Sequence, residues 1–228
     1  MGRPSSRQGV SPQLWHAFIE GAVYAEAEAP WRDDRAFATL CELPGLRDSI
    51  GGRIAEALQQ ALGLVQAMTR VDLLSIVRTK ARPQGLCLGF GMNALEPYDL
   101  LQVFSLARVH AYEWIGEHVV EAAQTLFAFA KGDVTLSKRI RLHHGTISDL
   151  HTLPDRSIQV AYVGNVFTHE IPMTPETFEG TVKEILRVLD DGGALFSRGS
   201  SGALETALRP AGVMLLQSPL VSVFQRQK

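Results

Sequence analysis

Apolar residues recur at two different spacings along the chain, and the change falls near Pro83. Before Pro83 they stand three or four positions apart, which is typical of helices with one buried face. An unbroken helix is not expected, because Pro30 and Pro44 interrupt the pattern. The predicted helices are residues 14–23 starting from Ser11-Pro12, residues 31–40, and residues 50–77 starting from Asp48-Ser49.

After Pro83, short apolar runs alternate with amphipathic segments. Such alternation predicts an α/β fold, with a mostly parallel seven-stranded sheet and helices on both faces. The last two strands are joined closely through Ser218-Pro219, which favours an antiparallel pair at the sheet edge. The predicted strands are 86–89, 108–112, 139–143, 158–163, 194–197, 213–216 and 220–225, and the predicted helices are 96–106, 116–130, 175–189 and 203–208.

The change of pattern also suggests how the chain is organised. We expect residues 1–82 to form a helical N-terminal cap and residues 83–228 to form the α/β domain. A helical cap over such a domain could close a pocket and exclude water from it.

Composition narrows the classes of partner. The 228 residues carry a formal net charge of −2 and no run of basic residues, so nucleic acid and anionic membranes are not expected partners. No apolar run is long enough to cross a bilayer. Cys41 and Cys87 are far apart and match no metal-ligand spacing, which favours reduced thiols and a cytoplasmic location. The oligomeric state stays open.

The strongest chemical signal is a glycine turn followed by an acidic residue. The run Gly85–Gly91 is an apolar strand that ends in Gly89-Phe90-Gly91, where a backbone without Cβ atoms can approach a ligand closely. The next apolar strand ends in Glu113, whose carboxylate can accept both hydroxyl protons of a ribose. Together these features predict an adenosine-containing ligand across the ends of parallel strands.

Three further segments make the chain resemble the class I, Rossmann-like S-adenosylmethionine-dependent methyltransferases, from about residue 85 to residue 228. Residues 184–196 are similar to that family's helix, glycine turn and following strand, with Asp191 in place of the usual proline. Residues 153–169 resemble its fourth strand, with Asn165 and His169 beyond the strand end, and residues 144–150 resemble the loop that lines the adenine.

The resemblance implies a methyltransferase with S-adenosylmethionine as its cofactor, acting on a small-molecule acceptor at an oxygen or a nitrogen. No metal ion is needed for this chemistry. His169 is the candidate general base for a hydroxyl acceptor. The residues that the resemblance assigns to the cofactor are Gly89, Phe90 and Gly91 at its methionine part, Glu113 at its ribose, Trp114, Thr146 and Ile147 at its adenine, and Gly164 and Asn165 near its amino-acid end and methyl group.

Other functions remain open at this point. Cys87 stands where the family usually has an acidic residue and Asn93 where it usually has a third glycine, which favours a non-catalytic relative that binds a partner. The spacing of Gly89, Gly91 and Ala94 also fits a dinucleotide fingerprint, and hence an NAD(P)-dependent oxidoreductase. The segment Leu95-Glu96-Pro97-Tyr98 resembles chemotaxis-receptor methyltransferases, which modify protein carboxyl groups.

Overall fold

A mixed β-sheet forms the centre of the molecule. The computed structural model describes residues 23–24, 53–91, 95–130, 134–167, 173–199, 202–218 and 220–227. Its strands are β1 (Val23–Tyr24), β2 (Gln84–Leu88), β3 (Arg108–Glu113), β4 (Ile140–His144), β5 (Ile158–Gly164), β6 (Leu189–Arg198), β7 (Gly212–Leu216) and β8 (Ser222–Arg226).

Helices connect most of these strands. They are α1 (Ala55–Thr69), α2 (Leu73–Arg78), α3 (Leu95–Val103), α4 (Gly116–Phe129), α5 (Val134–Arg139), α6 (Pro175–Val188) and α7 (Gly202–Leu208). Among the described residues, no helix combines the length and the apolar composition that crossing a bilayer requires.

The strand order confirms the predicted α/β fold. The order across the sheet is β1-β4-β3-β2-β5-β6-β8-β7. The pairs from β1 to β6 are parallel, and β8 runs antiparallel to both β6 and β7. The expected antiparallel pair is therefore present at this edge, with β8 inserted one position inside it.

The described sheet contains one strand in addition to the seven that the sequence predicts. Val23 and Tyr24 form the two-residue strand β1 beside β4. The sequence predicts Val23 as the last residue of a helix, and this prediction is wrong. The remainder of that helix, the predicted helix 31–40 and the cap at Asp48-Ser49 lie outside the described residues, and the helical N-terminal cap over residues 1–82 stays a prediction.

Two layers of helices cover the sheet. Helices α1 to α5 contribute to one hydrophobic cluster with residues such as Cys87, Ala111 and Tyr162 on one face. Helices α6 and α7 pack on the opposite face with residues such as Leu88 and Val163. Because α1 and α2 share their cluster with the central strands, residues 54–78 belong to the same core as the sheet.

A buried carboxylate fixes the start of α1. The backbone N–H groups of Ile54 and Ala55 donate to Asp99 Oδ2 at 2.8 and 3.0 Å, and Arg53 Nε donates to Asp99 Oδ1 at 2.6 Å. Asp99 lies on α3 and is fully buried. It supplies, from a distant helix, the acceptor that N-terminal N–H groups require.

A second departure concerns residues 190–193, which we predicted as a turn before a strand. They belong to β6, where the register with β5 shifts between Ile158 and Val160. This shift in register accommodates the additional residues of β6, so the strand continues through them.

Polar side chains form hydrogen bonds from strand to strand across the sheet, and we call this set the polar ladder. His143 Nε2 lies 3.1 Å from His110 Nδ1, and His110 Nε2 lies 3.1 Å from Gln84 Oε1. The ladder continues through the Gln84 backbone N–H to Gln159, and then to Asp190 and Lys80. Burial lowers the pKa of His110 to about 4 and that of His143 to about 3, with smaller contributions from neighbouring positive charges.

Candidate functional site

The turn after β2 has the backbone that the sequence predicted. Gly89 and Gly91 have φ values of 64° and 56°, a region that residues with a Cβ rarely adopt. A Cβ on Gly89 would also clash with Val166 Cγ2. The space above Gly91 is open to 4 Å, whereas Phe90 between them is buried. Among the described residues, the turn thus leaves room for a ligand beside Gly91.

Glu113 lies at the end of β3 and is joined to this turn. Its Oε2 accepts from the Gly91 backbone N–H at 2.9 Å, and its Oε1 accepts from the Ile115 N–H at 3.1 Å. The residue is only 3% exposed. Two backbone N–H groups therefore fix the carboxylate at the strand end, and each oxygen keeps acceptor capacity for a ligand.

The residues expected around an adenine lie near Glu113 in different environments. The Trp114 side chain is 68% exposed, so its ring is accessible. Its backbone oxygen faces His144 Nε2 at 3.1 Å. Thr146 is exposed and bonded to Ser148, while Ile147 is buried in the cluster beneath α6.

Helix α6 holds the loop that carries Thr146 and Ile147. Arg187 donates to the backbone oxygens of Leu150 and Leu153, both at 2.9 Å. Glu184 accepts from the Leu150 N–H at 3.0 Å and is paired with Arg187 at 2.8 Å. The Glu184–Arg187 pair, part of the segment that suggested the family, therefore anchors the loop at its far end.

The strand end at Gly164 and Asn165 forms the other side of the site. Asn165 is exposed, has a φ of 56°, and donates its backbone N–H to Arg198 O at 2.8 Å. Gly164 is buried at the end of β5. His169, the candidate base, lies outside the described residues, as does Glu170.

A cleft of about 230 Å³ opens beside the loop after β4. Its lining includes Tyr112 and His143, whose rings stack with centroids 4.2 Å apart. His143 and its neighbour His144 point to different partners, as strand alternation requires. Within the described ranges, no three His, Cys, Asp or Glu side chains are grouped so as to hold a metal ion.

The sequence of the central segment matches a known family. Residues 86–197, about half of the chain, match the family model described as a methyltransferase domain. The chain belongs to the class I S-adenosylmethionine-dependent methyltransferases. S-adenosylmethionine is the cofactor of this family. The match spans β2 to β6, which includes the glycine turn, Glu113 and the strand end at Asn165.

One solved structure supports this fold for the methyltransferase. The N-methyltransferase NodS from Bradyrhizobium japonicum WM9, in complex with S-adenosyl-L-homocysteine, is 13% identical, with a TM-score of 0.51 over 94% of this chain and 99% of NodS. A methyltransferase from Galdieria sulphuraria is 16% identical, with a TM-score of 0.43 over 64% of this chain and 48% of the other. YcgJ from Bacillus subtilis is 20% identical, with a TM-score of 0.40 over 61% and 50%.

The methyltransferase spans about half the length of the Galdieria and Bacillus proteins. No curated protein matches the sequence. The likeness to NodS concerns the fold alone, since the identity is 13%.

The methyltransferase also contains a buried polar group that our sequence analysis did not assign to the site. Glu96, in the first turn of α3, is 7% exposed, and its pKa is raised to about 7, mainly by burial. Tyr162 on β5 is fully buried, and its pKa is raised by burial and by the charge of Glu96. The available signal was the carboxyl residue in an otherwise apolar segment five positions after Gly91.

Proposed function

We propose that the protein transfers the methyl group of S-adenosylmethionine to a small-molecule acceptor, at an oxygen or a nitrogen. The observation that carries this proposal is the hydrogen bond between the Gly91 N–H and Glu113. It joins the glycine turn to the acidic strand end at the carboxyl ends of β2 and β3, inside the segment that matches the family. The proposal includes a cytosolic location, supported by the unpaired, buried Cys87.

The residues present fit this cofactor. We assign the methionine part to the turn Gly89–Gly91, where the open space above Gly91 admits a ligand. Glu113 would accept the ribose hydroxyls, and the accessible Trp114 ring would cover the adenine opposite Thr146 and Ile147. Gly164 and Asn165 would approach the amino-acid end. The cofactor supplies an electrophilic methyl group, and the protein supplies binding and orientation.

The acceptor would enter beyond the end of β5, next to Asn165. Alignment of the acceptor with the methyl group at about 3–3.5 Å supplies much of the rate enhancement, about 7–11 kcal/mol. A hydroxyl acceptor must also lose its proton, and His169 is placed by sequence directly after this strand end. The net charge of −2 supports a small acceptor over nucleic acid.

Replacement of Glu113 is expected to weaken binding of the cofactor. In Glu113→Ala, the loss of hydrogen bonds to a charged group should cost about 1.5–3 kcal/mol, or roughly 10- to 150-fold in affinity. Calorimetric titration with S-adenosylmethionine measures this change in affinity. Glu117→Ala is the matched control, because Glu117 is an exposed carboxylate on the next helix turn. Equal affinity in the two variants would show that Glu113 does not bind the cofactor.

Replacement of His169 is expected to affect turnover alone. With a hydroxyl acceptor, His169→Ala should lower kcat about 100-fold, the usual effect of losing a general base, and should leave the affinity for S-adenosylmethionine unchanged. The rate at which S-adenosylhomocysteine is released, followed across a pH series, measures kcat. An unchanged pH profile with full activity would give His169 a structural role.

A non-catalytic binding protein is the second candidate. Cys87, which replaces the usual acidic residue, is fully buried on β2, so a compensating carboxylate would have to come from another position. Separate titrations with S-adenosylmethionine and NAD(H) distinguish the candidates. Micromolar binding of S-adenosylmethionine alone supports the proposed enzyme, binding of neither supports the non-catalytic protein, and binding of NAD(H) contradicts both.

A further inference from the structure

The outer face of α1 carries apolar side chains and no charge. From Ala57 to Thr69 the helix contains no charged residue, although most of these positions are exposed. Leu64 and Met68 lie one turn apart on this face and are 42% and 68% exposed. On α4, by contrast, the exposed positions include Glu117 and Glu121. Exposed large apolar side chains without charged neighbours are typical of the centre of a protein interface.

A glycine lies in the middle of this face. Gly63 is exposed, and a Cβ built on it would meet nothing within 4 Å among the described residues. Glycine destabilises a helix interior relative to alanine, and that packing gives no reason for it here. What glycine does allow is the close approach of a second backbone. The helix therefore has a point at which another helix can come very near.

A groove of about 200 Å³ lies between α1 and α2. Its apolar lining comes from Leu62 on α1 and from residues at the start of α2, namely Val71, Leu73 and Leu74. Successive residues of a helix are about 100° apart around its axis. Leu64 and Met68 therefore lie on one side of Gly63, and the groove lies on the other. The helix presents protruding apolar side chains and an apolar recess at overlapping heights along its axis.

The occupant that fits both sides is a second copy of this chain. A two-fold axis that runs along α1 places Leu64 and Met68 of each copy against the groove of the other, with the two Gly63 residues facing each other. Both faces are uncharged and each copy has a net charge of only −2, so electrostatic repulsion between them is small. We propose that the protein forms a symmetric dimer through the outer face of α1. The inference is independent of the proposed function, because none of these residues belongs to the cofactor site.

Sedimentation of the full chain, from submicromolar to high micromolar concentration, measures the Kd of the dimer. Met68→Lys and Leu64→Lys each place a charge in the interface and should raise this Kd at least about tenfold. Leu220→Lys is the matched control, because Leu220 is a 61% exposed apolar residue in the loop between β7 and β8. This variant should dimerise as the wild type does. All three positions are exposed, so the substitutions should leave the fold intact.

A cross-link tests the geometry of the dimer directly. In Gly63→Cys, combined with Cys41→Ser, the two new thiols face each other across the axis and should form a disulfide-linked dimer under mild oxidation. Cys87 does not compete, because it is fully buried. Glu117→Cys in the same background is the control, since it places an exposed thiol on α4 that should cross-link much more slowly.

Three results would overturn the inference. The first is a wild-type protein that stays monomeric at high micromolar concentration, which would leave the face to a different protein or to the N-terminal segment. The second is a dimer that Met68→Lys does not weaken, and the third is a dimer in which Gly63→Cys cross-links no faster than Glu117→Cys. In the last two cases the interface lies elsewhere on the molecule.

Discussion

Acidification from pH 6.5 to pH 4.5 is expected to lower the free energy of unfolding by about 1.4 kcal/mol per pH unit, and by about twice as much in Glu96→Gln. The first cause is the histidine pair of the polar ladder. Because burial lowers the pKa of His110 to about 4 and of His143 to about 3, the folded protein excludes two protons that the unfolded chain takes up below about pH 6.5.

Glu96 acts in the opposite direction. Its pKa of about 7 in the folded protein lies above the value of 4.5 for an ordinary glutamate, so the folded protein binds one proton that the unfolded chain lacks in this interval. The net difference for these three groups is therefore one proton in the wild type and two in Glu96→Gln. At pH 8, where Glu96 is charged, Glu96→Gln should be more stable than the wild type by about 2–3 kcal/mol.

Urea denaturation at half-unit steps of pH measures these slopes. Glu117→Gln, which changes an exposed glutamate, should reproduce the wild-type slope. His110→Gln should reduce the slope by about one proton, because one buried imidazole is gone. Equal slopes in the wild type and Glu96→Gln would show that Glu96 titrates as an ordinary carboxylate.

Asp99→Ala is expected to destabilise the protein by about 3 kcal/mol. The substitution removes the acceptor for the N–H groups of Ile54 and Ala55 and for Arg53, all at the start of α1. The ion pair itself contributes little of this, because the Arg53 side chain is 50% exposed. The larger cost is that the Ile54 N–H group is left buried and unpaired.

Asp72→Ala is the matched control for this prediction. Asp72 caps α2 by accepting from the Ser75 N–H at 3.0 Å, in full contact with solvent. Its loss should cost about 1 kcal/mol, since water replaces the missing acceptor. Chemical denaturation measures both variants. A loss in Asp99→Ala no greater than in Asp72→Ala would contradict a structural role for the buried carboxylate.

The sheet could be predicted from the sequence because parallel strands are buried on both faces. Strands β2 and β5 are continuous apolar runs between turn residues, so their positions were correct to within a few residues. The glycine turn and Glu113 were also predictable, since strand ends meet at one edge of a parallel sheet. Helix α5 was missed: it is six residues long and too short for a clear period.

Contacts between distant residues were not predictable in this way. The start of α1 depends on Asp99, which lies 45 residues away from Ile54 in the sequence, so no local capping signal exists. The burial of Glu96 likewise follows from the packing of α3 against β2 and β3. In β3, the polar ladder left a faint signal, since His110 lies between the apolar Val109 and Ala111.

Strand β1 links the N-terminal segment to the cleft. It pairs Val23 with Leu142 and Tyr24 with His143, and the His143 side chain lines the cleft beside the loop after β4. Occupancy of the cleft and pairing of β1 thus act on the same residue. By thermodynamic linkage, any ligand that binds the cleft more tightly when β1 is paired must strengthen that pairing by the same factor. The pairing of Val23 and Tyr24 with β4 then reports what the cleft contains.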